Sequence, residues 1–182
     1  MRWNQLFDDL EAQWDAETRR DLDSEVADRT RRERATVGLY ERLAASVGET
    51  VLVRLVSGRA VSGAIADVGQ DWMLLRSDRR PVLVPLAAAA AVSGLSERAT
   101  GSPVGKRFSL GYALRGLSRD RAVVTIEDVT GGTTSGTIDA VGSDCFDLSE
   151  HAPDEPRRPE NITGRRVVPF AAVVSVSAAA GA

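Results

Sequence analysis

The chain has 182 residues, 43% hydrophobic and 27% charged, with 23 basic and 26 acidic side chains and a formal net charge of −3. That length holds one large domain or two small ones, and no apolar run reaches the roughly 18 residues that a membrane-spanning helix needs. One cysteine and one histidine exclude an internal disulfide and leave too few ligands for a structural zinc site, so a cytoplasmic protein without metal or cofactor is expected.

Residues 1–47 hold 8 arginines against 11 acidic residues, and the rest of the chain is balanced. Neither part has the basic excess that electrostatic nucleic-acid binding draws on. In the N-terminal arm, apolar or neutral residues recur at steps of three and four: Trp3, Phe7, Leu10, Trp14, Thr18, Leu22, Val26. This is the helical period, and the spacing predicts a long helix over residues 3–46, roughly 65 Å at 1.5 Å per residue, with a break into a helical hairpin near Thr30 to Gly38 as the alternative. Asp15/Arg19, Glu25/Arg29 and Asp28/Arg32 are acid-first i,i+4 pairs that support it. Trp3, Phe7, Leu10 and Trp14 fall together as an apolar face too large to leave in water. They are the candidate contact with a protein partner or a second copy; a dimer is one form this takes.

After Gly48 the period changes to that of strands. Five short runs follow: Thr50–Leu55, Arg59–Ala66, Trp72–Arg76, Val82–Pro85 and Ala90–Ser93, with turn residues between them. Residues 96–107 read as a linker. A second helix is predicted over Phe108–Leu117, with Leu110, Leu114 and Leu117 on one face. The strand pattern then repeats over Ala122–Ile126, Thr133–Asp139, Asp144–Leu148, Val167–Pro169 and Val173–Ser177.

The repeat is explicit. SGAIADVGQDWMLL at Ser62–Leu75 returns as SGTIDAVGSDCFDL at Ser135–Leu148, 73 positions later and identical at seven of fourteen positions. Val84-Pro85-Leu86-Ala87-Ala88 returns as Val168-Pro169-Phe170-Ala171-Ala172, now 84 positions later, so the second copy holds eleven extra residues in a charged, proline-rich loop at 149–166. Gly63 and Gly136 share one repeat position in mid-strand, where a sheet bends sharply or backbones approach.

A helix followed by five bent strands, with Val51, Val53, Leu55, Gly58, Gly63, Ile65, Asp71, Met73 and Leu75 in register, resembles the Sm-like barrel family. The likeness extends more loosely to the second copy, where Asp128 stands in the register of Leu55. The chain also resembles an actinobacterial group of proteins carrying LGYALRGL-x-RDRA before a second barrel. The resemblance implies an α+β, mainly β fold: a long N-terminal helix and two tandem Sm-like, SH3-like five-stranded antiparallel barrels, each preceded by a helix. The expected divisions are 1–47 for the helical arm, 48–95 for the first barrel, 96–107 for the linker and 108–178 for the second barrel.

The family's RNA-contacting residues are not matched. Leu74 and Asp147 stand in place of its asparagine, and Val84-Pro85 and Val168-Pro169 in place of its Arg-Gly. Pro85 and Pro169 remove an N–H donor from the fourth strands, which argues against rings built by edge pairing; the two barrels are expected to pack on each other there. No nucleophile motif, phosphate loop or paired catalytic carboxylates appear, so the chain reads as no enzyme. His151 and Cys145 read as bystanders. The expected function is non-catalytic binding or assembly through protein contacts. The alternative is single-stranded nucleic-acid binding by Trp72 with Arg76, Arg79, Arg80, Arg115 and Arg119.

Overall fold

The computed structural model describes residues 35, 37–77, 80–96 and 108–178. Residues 39–182 form one compact unit. Its first half opens with helix α1 (Leu39–Ala45). Strands β1 (Thr50–Leu55), β2 (Ala60–Val68), β3 (Trp72–Arg76), β4 (Pro81–Pro85) and β5 (Ala89–Ser93) follow. The second half opens with α2 (Leu110–Arg119) and continues with β6 (Val123–Asp128), β7 (Thr133–Val141), β8 (Cys145–Glu150), β9 (Gly164–Pro169) and β10 (Val173–Ala178). One 3₁₀ turn, at Leu86–Ala88 and again at Phe170–Ala172, joins the last two strands of each copy.

Residue alternation explains the strands. In β1, Val51, Val53 and Leu55 are buried while Thr50, Leu52 and Arg54 face out, the two-residue period of a half-buried strand. The central glycines are there because backbones meet. A Cβ on Gly63 would lie 2.7 Å from the Arg76 carbonyl oxygen, and one on Gly136 would lie 2.1 Å from that of Ser149. Each copy also bulges at one matching residue: Ala66 in β2 and Asp139 in β7 lie between registered pairs without a partner of their own. Asp128 holds the β6–β7 turn by accepting from the Thr130 N–H and hydroxyl and from the Gly132 N–H. Those bonds, the Thr130 hydroxyl foremost, keep its carboxyl below the ordinary range.

Two expectations are corrected. The first is the unbroken helix over 3–46. Val37 and Gly38 are not helical, and α1 begins at Leu39; a β-branched residue beside a glycine is a weak place to propagate a helix. Most of the expected helix, including Trp3, Phe7, Leu10 and Trp14, lies outside the described residues.

The second is the pair of separate barrels. All ten strands form one antiparallel sheet in the order β5-β1-β2-β3-β4-β10-β6-β7-β8-β9. The joint is β4 with β10, where Leu83 faces Val176 and Val82 faces Ser177. Pro85 does not prevent this pairing, which uses Val82 and Leu83 and stops short of it. The halves also share side chains. Val174 of β10 belongs to the apolar core of the first half, with Val53, Leu75, Val84 and Ala88. Trp72 and Leu83 belong to the core of the second, with Ile126, Ile138 and Phe146. Each half therefore completes its neighbour's interior, which two independent barrels do not do.

Candidate functional site at the sheet edges

The joint is held by polar as well as apolar contacts. Glu127 of β6 is 3% exposed and gathers three donors. Ser57 Oγ donates to Oε1 at 2.6 Å, Arg59 Nη1 to Oε2 at 3.1 Å, and Ser175 Oγ to Oε2 at 3.1 Å. Ser57 and Arg59 come from the β1–β2 hairpin of the first half, so this carboxylate ties the two copies together. Its counterpart in the first copy is Arg54, exposed on β1.

The joint is also directional. It pairs the fourth strand of one copy with the fifth strand of the other. The strands left at the two ends of the sheet are therefore the fourth of the second copy, β9, and the fifth of the first, β5. Two residues buried at the joint have exposed counterparts at these ends. Leu83 is 6% exposed at the joint, whereas Val167, its counterpart 84 positions on, is 61% exposed. Val174 is fully buried, whereas its counterpart Ala90 on β5 is exposed. Ile126, Leu148, Val168 and Ala172 are the counterparts of the residues that cluster with Val174. Together with Val167 they line an open hollow of about 130 Å³ beside β9.

The residues singled out in the sequence do not meet in one place. Trp72 is 7% exposed, its indole N–H donates to the Phe108 carbonyl at 3.0 Å, and it packs in the apolar core of the second half. Arg76 ends β3 and Arg80 precedes β4, both exposed in the first half, while Arg79 lies outside the described residues. Arg115 and Arg119 lie on α2 in the second half, and Arg115 Nη2 donates to the Gly142 carbonyl at 3.1 Å. Single-strand binding needs a continuous basic track with stacking faces, and these residues are split across the sheet. The exposed aromatic pair is instead Phe108 and Tyr112, stacked with centroids 4.1 Å apart.

His151 is 3% exposed and spoken for. The Ala152 carbonyl, 2.9 Å from Nδ1, can only accept, so Nδ1 carries the proton, and Nε2 accepts from the Thr137 hydroxyl at 2.8 Å. Burial and then the charge of Asp144 raise the Cys145 pKa, which keeps it a thiol rather than a nucleophilic thiolate. Among the described residues no cluster of histidine, cysteine and carboxylates could hold a metal ion. No described helix is long and apolar enough to cross a membrane.

The chain matches no protein-family model and no curated protein.

The edges were missed in the sequence because their strands read like any others. The available signal was the pair Val173-Val174, two successive large apolar residues where the first copy has Ala89-Ala90. Successive apolar residues in a short strand indicate burial on both faces.

Proposed function

We propose that this protein is a non-catalytic assembly protein that binds further copies of itself head to tail through its sheet edges. The observation that supports this most is the contrast between Leu83 and Val167: equivalent residues, one covered by β10 and the other bare. The contact inside the chain is heterologous, fourth strand to fifth. Repeating it between chains joins β9 of one molecule to β5 of the next, with residues near Ala90 entering the hollow beside β9. A heterologous contact closes into a ring when its rotation permits and otherwise extends as a filament. Val167 and the hollow give the contact an apolar centre, and unpaired edge N–H and C=O groups supply its hydrogen bonds.

The apolar N-terminal face of Trp3, Phe7, Leu10 and Trp14 is a second proposed contact with protein. Light scattering of the full chain and of Val167→Lys separates the two. A charge on the outer strand blocks edge pairing, so the parent is expected at a multiple of 19.5 kDa and the variant at the chain mass. A parent that is already a monomer contradicts the reading. A mass that falls only in a Trp3→Ala/Trp14→Ala variant assigns assembly to the N-terminal face instead.

A further inference from the structure

The second copy carries a concavity rich in arginine. A cleft of about 420 Å³ opens between the end of α2, the middle of β7, the loop 151–163 and the start of β9, and four arginines line it: Arg119, Arg121, Arg157 and Arg165. Asp139 is the acidic residue in its lining, and each of its oxygens has a partner. Its Oδ1 takes Arg157 Nη2 at 2.6 Å and its Oδ2 takes the Ser149 hydroxyl at 2.5 Å. Among the described residues the side chains of Arg119, Arg121 and Arg165 have no hydrogen-bond or ion-pair partner. Arg157 keeps one unmet donor, since its Nε is buried without a partner, and a buried unpaired donor is costly to leave so.

The sister copy serves as an internal control. The counterparts of Arg119, Arg121, Thr137, Asp139 and Arg165 are Ser46, Gly48, Ala64, Ala66 and Pro81, all uncharged. Arg157 belongs to the inserted loop. Arg121 is the telling position. It has φ +49°, alone among the described non-glycine residues in the left-handed region. The Arg121 N–H bonds the Ser118 carbonyl and the Ala122 N–H bonds the Leu117 carbonyl, which closes the end of α2 at the site where glycine is normally preferred. The first copy has glycine there, at φ +91°. The second copy keeps the backbone conformation and places a guanidinium on it.

The negative features nearby are weaker than this charge. The Gly116, Leu117 and Ser118 carbonyls are capped by backbone N–H groups. Asp120 is exposed beside Arg121, and Asp147 lines the neighbouring hollow with Asp139, Arg165 and Arg166. Three unpaired guanidiniums converging on one cleft suit the oxygens of a phosphate, which arginine binds bidentately. A single carboxylate would leave much of that charge unanswered. The volume falls within the roughly 300–1,000 Å³ of small-molecule sites, larger than a bare phosphate and suited to a compact molecule that carries one.

We propose that the cleft of Arg119, Arg121, Arg157 and Arg165 binds the phosphate group of a small phosphomonoester. The assembly reading plays no part in this. The test is calorimetric titration of the full chain at low salt with inorganic phosphate, pyrophosphate and glucose 6-phosphate. Saturable binding of a phosphomonoester at one site per chain is expected. Arg121→Gly, which restores the sister copy's residue, and Arg165→Gln should each weaken it by about tenfold or more. Arg121→Gly should melt no lower than the parent, so the loss cannot be put down to misfolding. Arg80→Gln, outside the cleft, should bind as the parent does. The proposal is overturned if none of the three probes binds at millimolar concentration, or if Arg121→Gly and Arg165→Gln bind unchanged. It is also overturned if a labelled RNA binds and glucose 6-phosphate does not compete with it.

Discussion

Two glycines at different places in the fold make opposite demands. At Gly136 a side chain has nowhere to go: its Cβ would meet the Ser149 carbonyl oxygen at 2.1 Å and the Glu150 Cα at 3.1 Å, both of them backbone. Gly136→Ala must therefore push β8 away from β7, at a cost of about 1–3 kcal/mol or more by the scale of overpacked cores. At Gly116, inside α2, a Cβ would meet nothing within 4 Å. Gly116→Ala should stabilise by about 0.5–1 kcal/mol, because glycine is a poor helix former. Denaturant unfolding of the two variants is expected to give shifts of opposite sign; destabilisation by both would refute this reading of α2. The demand at Gly136 was legible in the sequence, since the same glycine recurs at Gly63 within a shared phrase. Arg121 was not legible in this way: the 73-residue offset sets it against Gly48, but only the backbone angle shows that the glycine-like conformation is kept there.

At the scale of elements, alternation and turn chemistry placed all ten strands within a few residues. Their partners were another matter. A period of two tells which face of a strand is buried, but not which strand lies beside it. The β4–β10 joint depends on two edges fitting each other across most of the chain. Pro85 does not block the joint, because the residues of β4 in register with β10 are Val82 and Leu83. β10 illustrates the consequence. Val173 to Val176 are all buried, because β10 has a strand on either side and a core on either face, while β5, its counterpart at the sheet end, remains partly exposed. Glu127 secures this arrangement. Glu127→Ala leaves the hydroxyls of Ser57 and Ser175 without their acceptor, and Arg59, 62% exposed, returns to water. A loss of about 1–3 kcal/mol is expected. Because each half lends side chains to the other's core, calorimetry of both parent and variant should show one cooperative transition. Two resolved transitions would mean that the halves fold independently.

For the whole molecule, the sequence revealed a duplication but not its result. Two copies of one unit have become a single sheet by using one fourth-strand edge and one fifth-strand edge inside the chain, and one edge of each kind is left at the ends. The copies have also diverged in what they add. The first contributes the hairpin that grips Glu127, and the second contributes the inserted loop with Arg157 and the arginine cleft. Head-to-tail assembly makes a definite statement about register. Within the chain Ser177 faces Val82, so by the 84-residue repeat Ser93 of one molecule should face Arg166 of the next. Both positions are exposed, and directly opposed residues of an antiparallel pair come close enough for a disulfide. The decisive measurement is oxidative cross-linking of a Ser93→Cys/Arg166→Cys variant carrying Cys145→Ser, read on a non-reducing gel beside each single-cysteine variant. A ladder of covalent multimers from the double variant, with nothing beyond dimers from the singles, is the result head-to-tail assembly predicts. A double variant that stays at the mass of one chain would contradict it.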